Sequence, residues 1–111
     1  MKKKDFYLLH SEVCKTLANP KRQEILDNLR HTDMTVNELV KKSGISQANL
    51  SQHLALMRSK GILSTRREGN NVYYSLSNSK IIKAFDLISE VLRDSLSTQS
   101  QAVKSAIDRK K

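Results

Sequence analysis

Cys14 and the three histidines, His10, His31 and His53, supply the thiol and imidazole groups from which a metal site or a reactive centre could be built. His10 and Cys14 stand four residues apart, so on a helix they share a face one turn from each other. The histidines form no ligand pair by spacing. His10 falls on a first helical segment, His31 beside a loop and His53 on a later helix, so they do not converge within one element. His10 and His31 read by default as surface or half-buried side chains. No metal ligand and no cofactor is assigned. Three roles compete for Cys14: an inert buried thiol, a redox sensor, and one ligand of a metalloid site shared between subunits. Phe6, Val13 and Leu17 lie on its side of the helix, which makes burial the simplest of the three. Lys15 is weak evidence for an activated thiol, because adjacent helical residues point about 100° apart. The sequence has no glycine-rich phosphate loop, nucleophile elbow or paired acidic motif, and no enzyme is expected.

A different chemistry lies between Ser43 and Met57. "SGISQANLSQHLALM" contains no Lys, Arg, Asp or Glu, in a chain that is 28% charged with a formal net charge of +9. Gln47, Asn49, Ser51, Gln52 and His53 are polar, so hydrophobic content does not explain the gap. On a helical wheel Leu50, Leu54 and Met57 share one face, while Ala48, Ser51, Gln52, Ala55 and Ser59 gather opposite. Short neutral side chains let a helix enter the major groove, where amides and hydroxyls read base edges and alanine meets a thymine methyl. Cations belong at the phosphates instead. Lys41 and Lys42 precede the stretch, Arg58 and Lys60 end it, and Arg66 and Arg67 follow. Two blander readings stand beside this one: an ordinary amphipathic helix with an uncharged solvent face, and a protein-interaction module whose basic surface meets an acidic partner.

The elements that must carry these residues are legible from punctuation and periodicity. A chain of 111 residues fits one domain, with a mainly aliphatic core since aromatics are 5% and Trp is absent. Phe6, Leu9, Val13, Cys14 and Leu17 predict a helix over Asp5–Ala18, which Asn19-Pro20 closes while opening the next, whose buried stripe is Ile25, Leu26 and Leu29. Thr35-Val36-Asn37-Glu38 has the form of a capping box for a third helix ending at Gly44. Ser46 caps a fourth, running to about Lys60 before Gly61. In "ILSTRREGNNVYYSL", β-branched and aromatic residues flank Gly69-Asn70-Asn71, which predicts a β-hairpin. A last helix follows, with Ile81, Ile82, Phe85, Ile88, Val91, Leu92 and Leu96 at spacings of three and four. That stripe is wider than one small domain needs, so part of it should meet a second subunit together with the first helix. The expected division is 1–96 for the domain with its terminal dimerisation helices and 97–111 for a polar basic tail or weak helix extension.

Helix, tight turn, helix, then hairpin is the layout of a winged helix-turn-helix: mainly α with a small β-hairpin. With 20 basic against 11 acidic residues, the partner it suggests is double-stranded DNA. One cysteine rules out an internal disulfide and suits a reducing cytoplasm. No apolar run reaches the roughly 18 residues of a membrane span, and Lys2–Lys4 lack the apolar segment of a signal peptide. A cytoplasmic protein without a membrane partner is expected.

The run "LANPKRQEIL" and then "TVNELVKKSGISQANLSQHLALMRSKGILSTRREGNNVYYSL" resembles the arsenic-repressor family of small winged-helix regulators, the ArsR/SmtB type, over about Leu17 to Leu76. The resemblance implies a homodimeric transcription factor, usually a repressor, whose first and last helices form the dimer interface and whose effector lowers its affinity for operator DNA. It also implies recognition-helix contacts at Ser46, Gln47, Ser51, Gln52 and His53, and wing contacts at Arg66, Arg67, Asn70 and Tyr73. Asn49 and Arg58 join them from the reading of the uncharged stretch and its flanks. The sequence departs from the family at the sensing positions. "VNELVKK" lacks the cysteine pair that many members carry before the turn, and "KIIKAFDLISEVLRDSL" has Asp86 and Asp94 but no histidine. The effector therefore stays unassigned, and a site assembled across the dimer from His10 and Cys14 stays open.

Overall fold

The computed structural model describes residues 1–98 and 101–108. Its elements are α1 (Lys3–Leu17), α2 (Pro20–Asn28), α3 (Val36–Ser43), α4 (Gln47–Ser59), strands β1 (Leu63–Glu68) and β2 (Asn71–Leu76), α5 (Lys80–Thr98) and α6 (Gln101–Asp108). The chain divides into two compact units, residues 1–79 and 80–111.

Local chemistry sets most boundaries in the first unit. Asn19 Oδ1 accepts from the backbone N–H groups of Lys21 and Arg22 at 3.0 and 3.2 Å, and Pro20 takes the first turn of α2, where a missing N–H costs nothing. Thr35 and Glu38 form the expected capping box at α3, and Gly44 ends that helix in the left-handed region at φ 72°. Ser46 Oγ accepts from Asn49 N–H at 3.3 Å to start α4. The hairpin closes over Gly69 and Asn70, with Glu68 paired to Asn71 and Gly69 at φ 60°. Asn71 is thus the first residue of β2 rather than part of the turn. Met34 adds a backbone bridge to Tyr74, its N–H donating to Tyr74 O at 3.1 Å and its carbonyl accepting from Tyr74 N–H at 2.8 Å.

Helices α2, α3 and α4 and strand β1 close over one aliphatic core. Ile25, Leu26, Leu39, Leu50, Leu54 and Met57 are fully buried there, with Ile62 nearly so. The ends of the chain differ. In α1, Phe6 and Leu9 are 55% and 54% exposed, Val13 and Leu17 only half-buried, and Cys14 exposed. The expected burial of Cys14 is therefore corrected for the single chain: the apolar stripe of α1 lies open along its first half. In the second unit, α5 buries Ile82, half-buries Ile81, Phe85 and Leu96, and exposes Ile88, Val91 and Leu92. It runs to Thr98, past the point where the sequence becomes polar. No helix among the described residues is long and apolar enough to cross a membrane.

Candidate nucleic-acid interface

The two faces of α4 are sorted as the wheel predicts. Leu50, Leu54 and Met57 are fully buried, and Ala48, Ser51, Gln52, Ala55 and Ser59 are exposed, as are Gln47 and Asn49 in the first turn. Ser46 spends its hydroxyl oxygen on the cap. Exposed Lys41 and Lys42 occupy the last turn of α3, where they also complement the negative end of that helix, and Arg58 occupies the last turn of α4. None of these three cations has an ion-pair partner among the described residues. Lys60 differs: its Nζ lies 3.3 Å from Glu12 Oε2 of α1.

His53 is half-buried and turned toward α2. Its Nδ1 accepts from Arg22 Nε at 3.1 Å, and the same guanidinium donates through Nη1 to the Thr16 carbonyl of α1 at 3.2 Å. Burial, then the positive charges of Arg22 and Lys21, hold the imidazole below its usual pKa and so favour the neutral acceptor. His53 thus sits apart from the outward polar set.

Arg66 and Arg67 are adjacent on β1 and point to opposite faces of the wing. Arg66 Nε donates to Asp33 Oδ2 at 3.1 Å, its Nη1 pairs with Glu68, and its guanidinium carbon lies 4.5 Å from the centre of the Tyr73 ring. The hydrogen bond to Asp33, with the charges of Glu68 and Asp33, raises the Arg66 pKa further. Around it lies an open cleft of about 520 Å³ that also takes in His31 and Glu38. Its three carboxylates against one guanidinium make it unsuited to a phosphate. Arg67, opposite Val72, is exposed and has no ion-pair partner among the described residues. Asn70 is exposed in the hairpin turn and Tyr73 is half-buried. Of the residues expected at the DNA, the structure brings Gln47, Asn49, Ser51, Gln52, Arg58, Arg67 and Asn70 to open surface, and gives His53, Arg66 and Tyr73 partners within the domain.

On α1, Cys14 Sγ lies 3.5 Å from His10 Nδ1, and the His10 ring is tilted against Phe6 at 6.2 Å between centroids. No group of three or more His, Cys, Asp or Glu side chains suited to a metal occurs among the described residues. Sequence reasoning missed Glu12, Arg22 and Asp33. Their partners lie 48, 31 and 33 residues away, and nothing in a linear pattern signals such pairs.

A family model described as bacterial regulatory protein, arsR family, matches residues 19–65. The uncharacterized HTH-type transcriptional regulator Rv0081 of Mycobacterium tuberculosis is 37% identical over 98 residues, covering 87% of this chain and 86% of Rv0081. The chain belongs to the arsR family. Its members are transcriptional regulators, and the resemblance drawn from the motif residues holds. The crystal structure of Rv0081 matches this arsR-family chain with a TM-score of 0.77 at 38% identity, over 83% of this chain and 93% of that one. A homodimeric winged helix-turn-helix DNA-binding domain, Mb0332 from Mycobacterium bovis, matches with a TM-score of 0.80 at 27% identity, over 90% of this chain and 93% of that one. The nodulation protein NolR of Rhizobium meliloti is 42% identical over 78 residues, which are 70% of this chain but 64% of NolR. These matches establish the winged helix-turn-helix architecture and favour a DNA-binding regulator over a protein-interaction module.

Proposed function

We propose that the chain acts as a homodimer that represses transcription from the cytoplasm, binding an inverted-repeat operator in duplex DNA through α4 and the wing and letting go when an effector binds. The observation that carries this reading is the exposed, uncharged face of α4, together with exposed Lys41 and Lys42 in the last turn of α3, Arg58 in the last turn of α4 and Arg67 on the wing. Gln47, Asn49, Ser51 and Gln52 are the candidates for base edges and the start of the helix at Ser46, while Arg58, Arg67 and Asn70 are the candidates for phosphate. Exposed Phe6 and Leu9 of α1, and exposed Ile88, Val91 and Leu92 of α5, are apolar faces that a second subunit would cover. Residues 97–111 are read as a polar basic extension of the domain 1–96. Two-fold symmetry would then set the two recognition helices roughly one helical turn of DNA apart.

The effector class is open. The absent cysteine pair and last-helix histidines mean that stoichiometric zinc, nickel, cobalt or trivalent arsenic should not release DNA through the family's two common sites. Cys14, the one thiol, could respond to oxidants only between subunits or with a small thiol.

A footprint upstream of the protein's own gene, followed by sedimentation and a salt titration on the protected duplex, tests the reading. A dimer at micromolar concentration, protecting an inverted repeat with strongly salt-dependent affinity, is expected. A monomer that binds the duplex tightly, or a footprint with no repeat, overturns it.

A further inference from the structure

We propose that Arg22 is a positioning residue for DNA recognition, holding α4 against the end of α1 by donating at once to His53 and to the Thr16 carbonyl. This rests on the reading that α4 binds DNA. One planar guanidinium makes both bonds, at 3.1 Å to His53 Nδ1 and 3.2 Å to Thr16 O, so the imidazole and the last turn of α1 keep one fixed relation. The anchor is firm. Thr16 is 4% exposed, its hydroxyl donates to Glu12 O at 2.8 Å, and the neighbouring Leu17 carbonyl accepts from Gln23 Nε2 at 2.9 Å. Both carbonyls belong to the last turn of α1, which has no helical donors left for them. The pair Lys60–Glu12 links the C-terminal end of α4 to the same helix. A shift of α1, whose apolar face is the candidate subunit contact, would therefore be felt at the recognition helix.

The bond to His53 exists only while the imidazole is neutral. A neutral ring that accepts at Nδ1 carries its proton on Nε2; once protonated, both nitrogens are donors and Arg22 loses its acceptor. The imidazolium would also stand beside the cations Arg22 and Lys21, both on α2. Burial and these cations lower the folded pKa below the ordinary 6.5. The contribution to stability is thus complete above about pH 6.5 and is lost as pH falls from there through the folded pKa. A histidine that met phosphate directly would behave in the opposite sense, since the imidazolium would bind the polyanion more strongly.

That difference in sign is the test. A duplex selected by the wild-type protein from a random pool, and a scrambled duplex of equal length, are titrated from about pH 7.5 downward through the pH at which the nitrogen-15 signal of His53 reports its protonation. The ratio of the two affinities is expected to fall roughly three- to tenfold as His53 becomes protonated, a charge-assisted bond discounted for partial exposure. His53→Gln retains an acceptor without a titrating group and should remove the pH dependence of the ratio. Arg22→Met should lower the ratio at neutral pH and flatten its profile. Nitrogen-15 spectra of the histidines should show His53 protonated at Nε2 in the free protein, which checks the bond without DNA. A wild-type protein that enriches no duplex overturns the DNA-binding reading and this role with it. Specific binding whose ratio holds or rises as His53 protonates, or a His53→Gln variant that keeps the wild-type pH profile, overturns this role alone.

Discussion

Leu50, Leu54 and Met57 of α4 are fully buried, whereas Ala48, Ser51, Gln52 and Ala55 of the same helix are exposed. The wing repeats the contrast over a shorter distance. Arg66 is tied to Asp33, Glu68 and the face of Tyr73, while Arg67, the next residue, reaches solvent without an ion-pair partner among the described residues. In both elements the backbone period decides which neighbours a side chain meets, every 3.6 residues on the helix and every second residue on the strand. Residues of similar type thus divide into those that hold the domain and those left for a partner. Counting cations near a recognition helix overstates the charge offered to phosphate, because Lys60 and Arg66 already serve Glu12 and Asp33.

Mutations on the two faces of α4 should fail in different assays. Leu54→Ala is expected to lose about 2–5 kcal/mol of folding stability, the usual range for a buried leucine, and a urea melt would register it. A loss below about 1 kcal/mol would mean that the inner face is not the core it is taken for. Gln52→Ala should leave the melt unchanged and cost about 1–3 kcal/mol of binding, confined to one base position, as measured with single-substitution duplexes. Equal weakening on every duplex would move Gln52 from base edge to phosphate.

Smaller effects sharpen the same division. Thr35→Ala removes one half of the capping box on α3 and should cost about 1 kcal/mol of stability, with the preference among duplexes untouched. Arg67→Ala should weaken all sequences alike and reduce the magnitude of the salt slope by about one unit, the signature of one lost phosphate contact. Arg66→Ala should change the salt slope less than Arg67→Ala, because its charge is already matched within the domain. A slope change as large for Arg66 as for Arg67 would show that DNA draws Arg66 away from Asp33.

Much of the domain could be read in the sequence because its signals are local. Asn19-Pro20, the Thr35–Glu38 box, Gly44 and Ser46 act within four residues of themselves, and the structure uses each where the sequence sets it, while the hairpin turn narrows from Gly69-Asn70-Asn71 to Gly69-Asn70. The outer face of α4 was legible for the same reason: helical periodicity is a property of consecutive residues. Tertiary structure decided what periodicity cannot carry. Whether Arg66 is free, which way His53 turns and what Lys60 holds depend on Asp33, Arg22 and Glu12, brought near only when distant segments close over the core. The apolar run through Phe6, Leu9 and Cys14 marked a surface to be covered, but folding of the single chain leaves that surface open. A hydrophobic stripe records that a face prefers to leave water, and only packing determines whether the same chain or another one covers it.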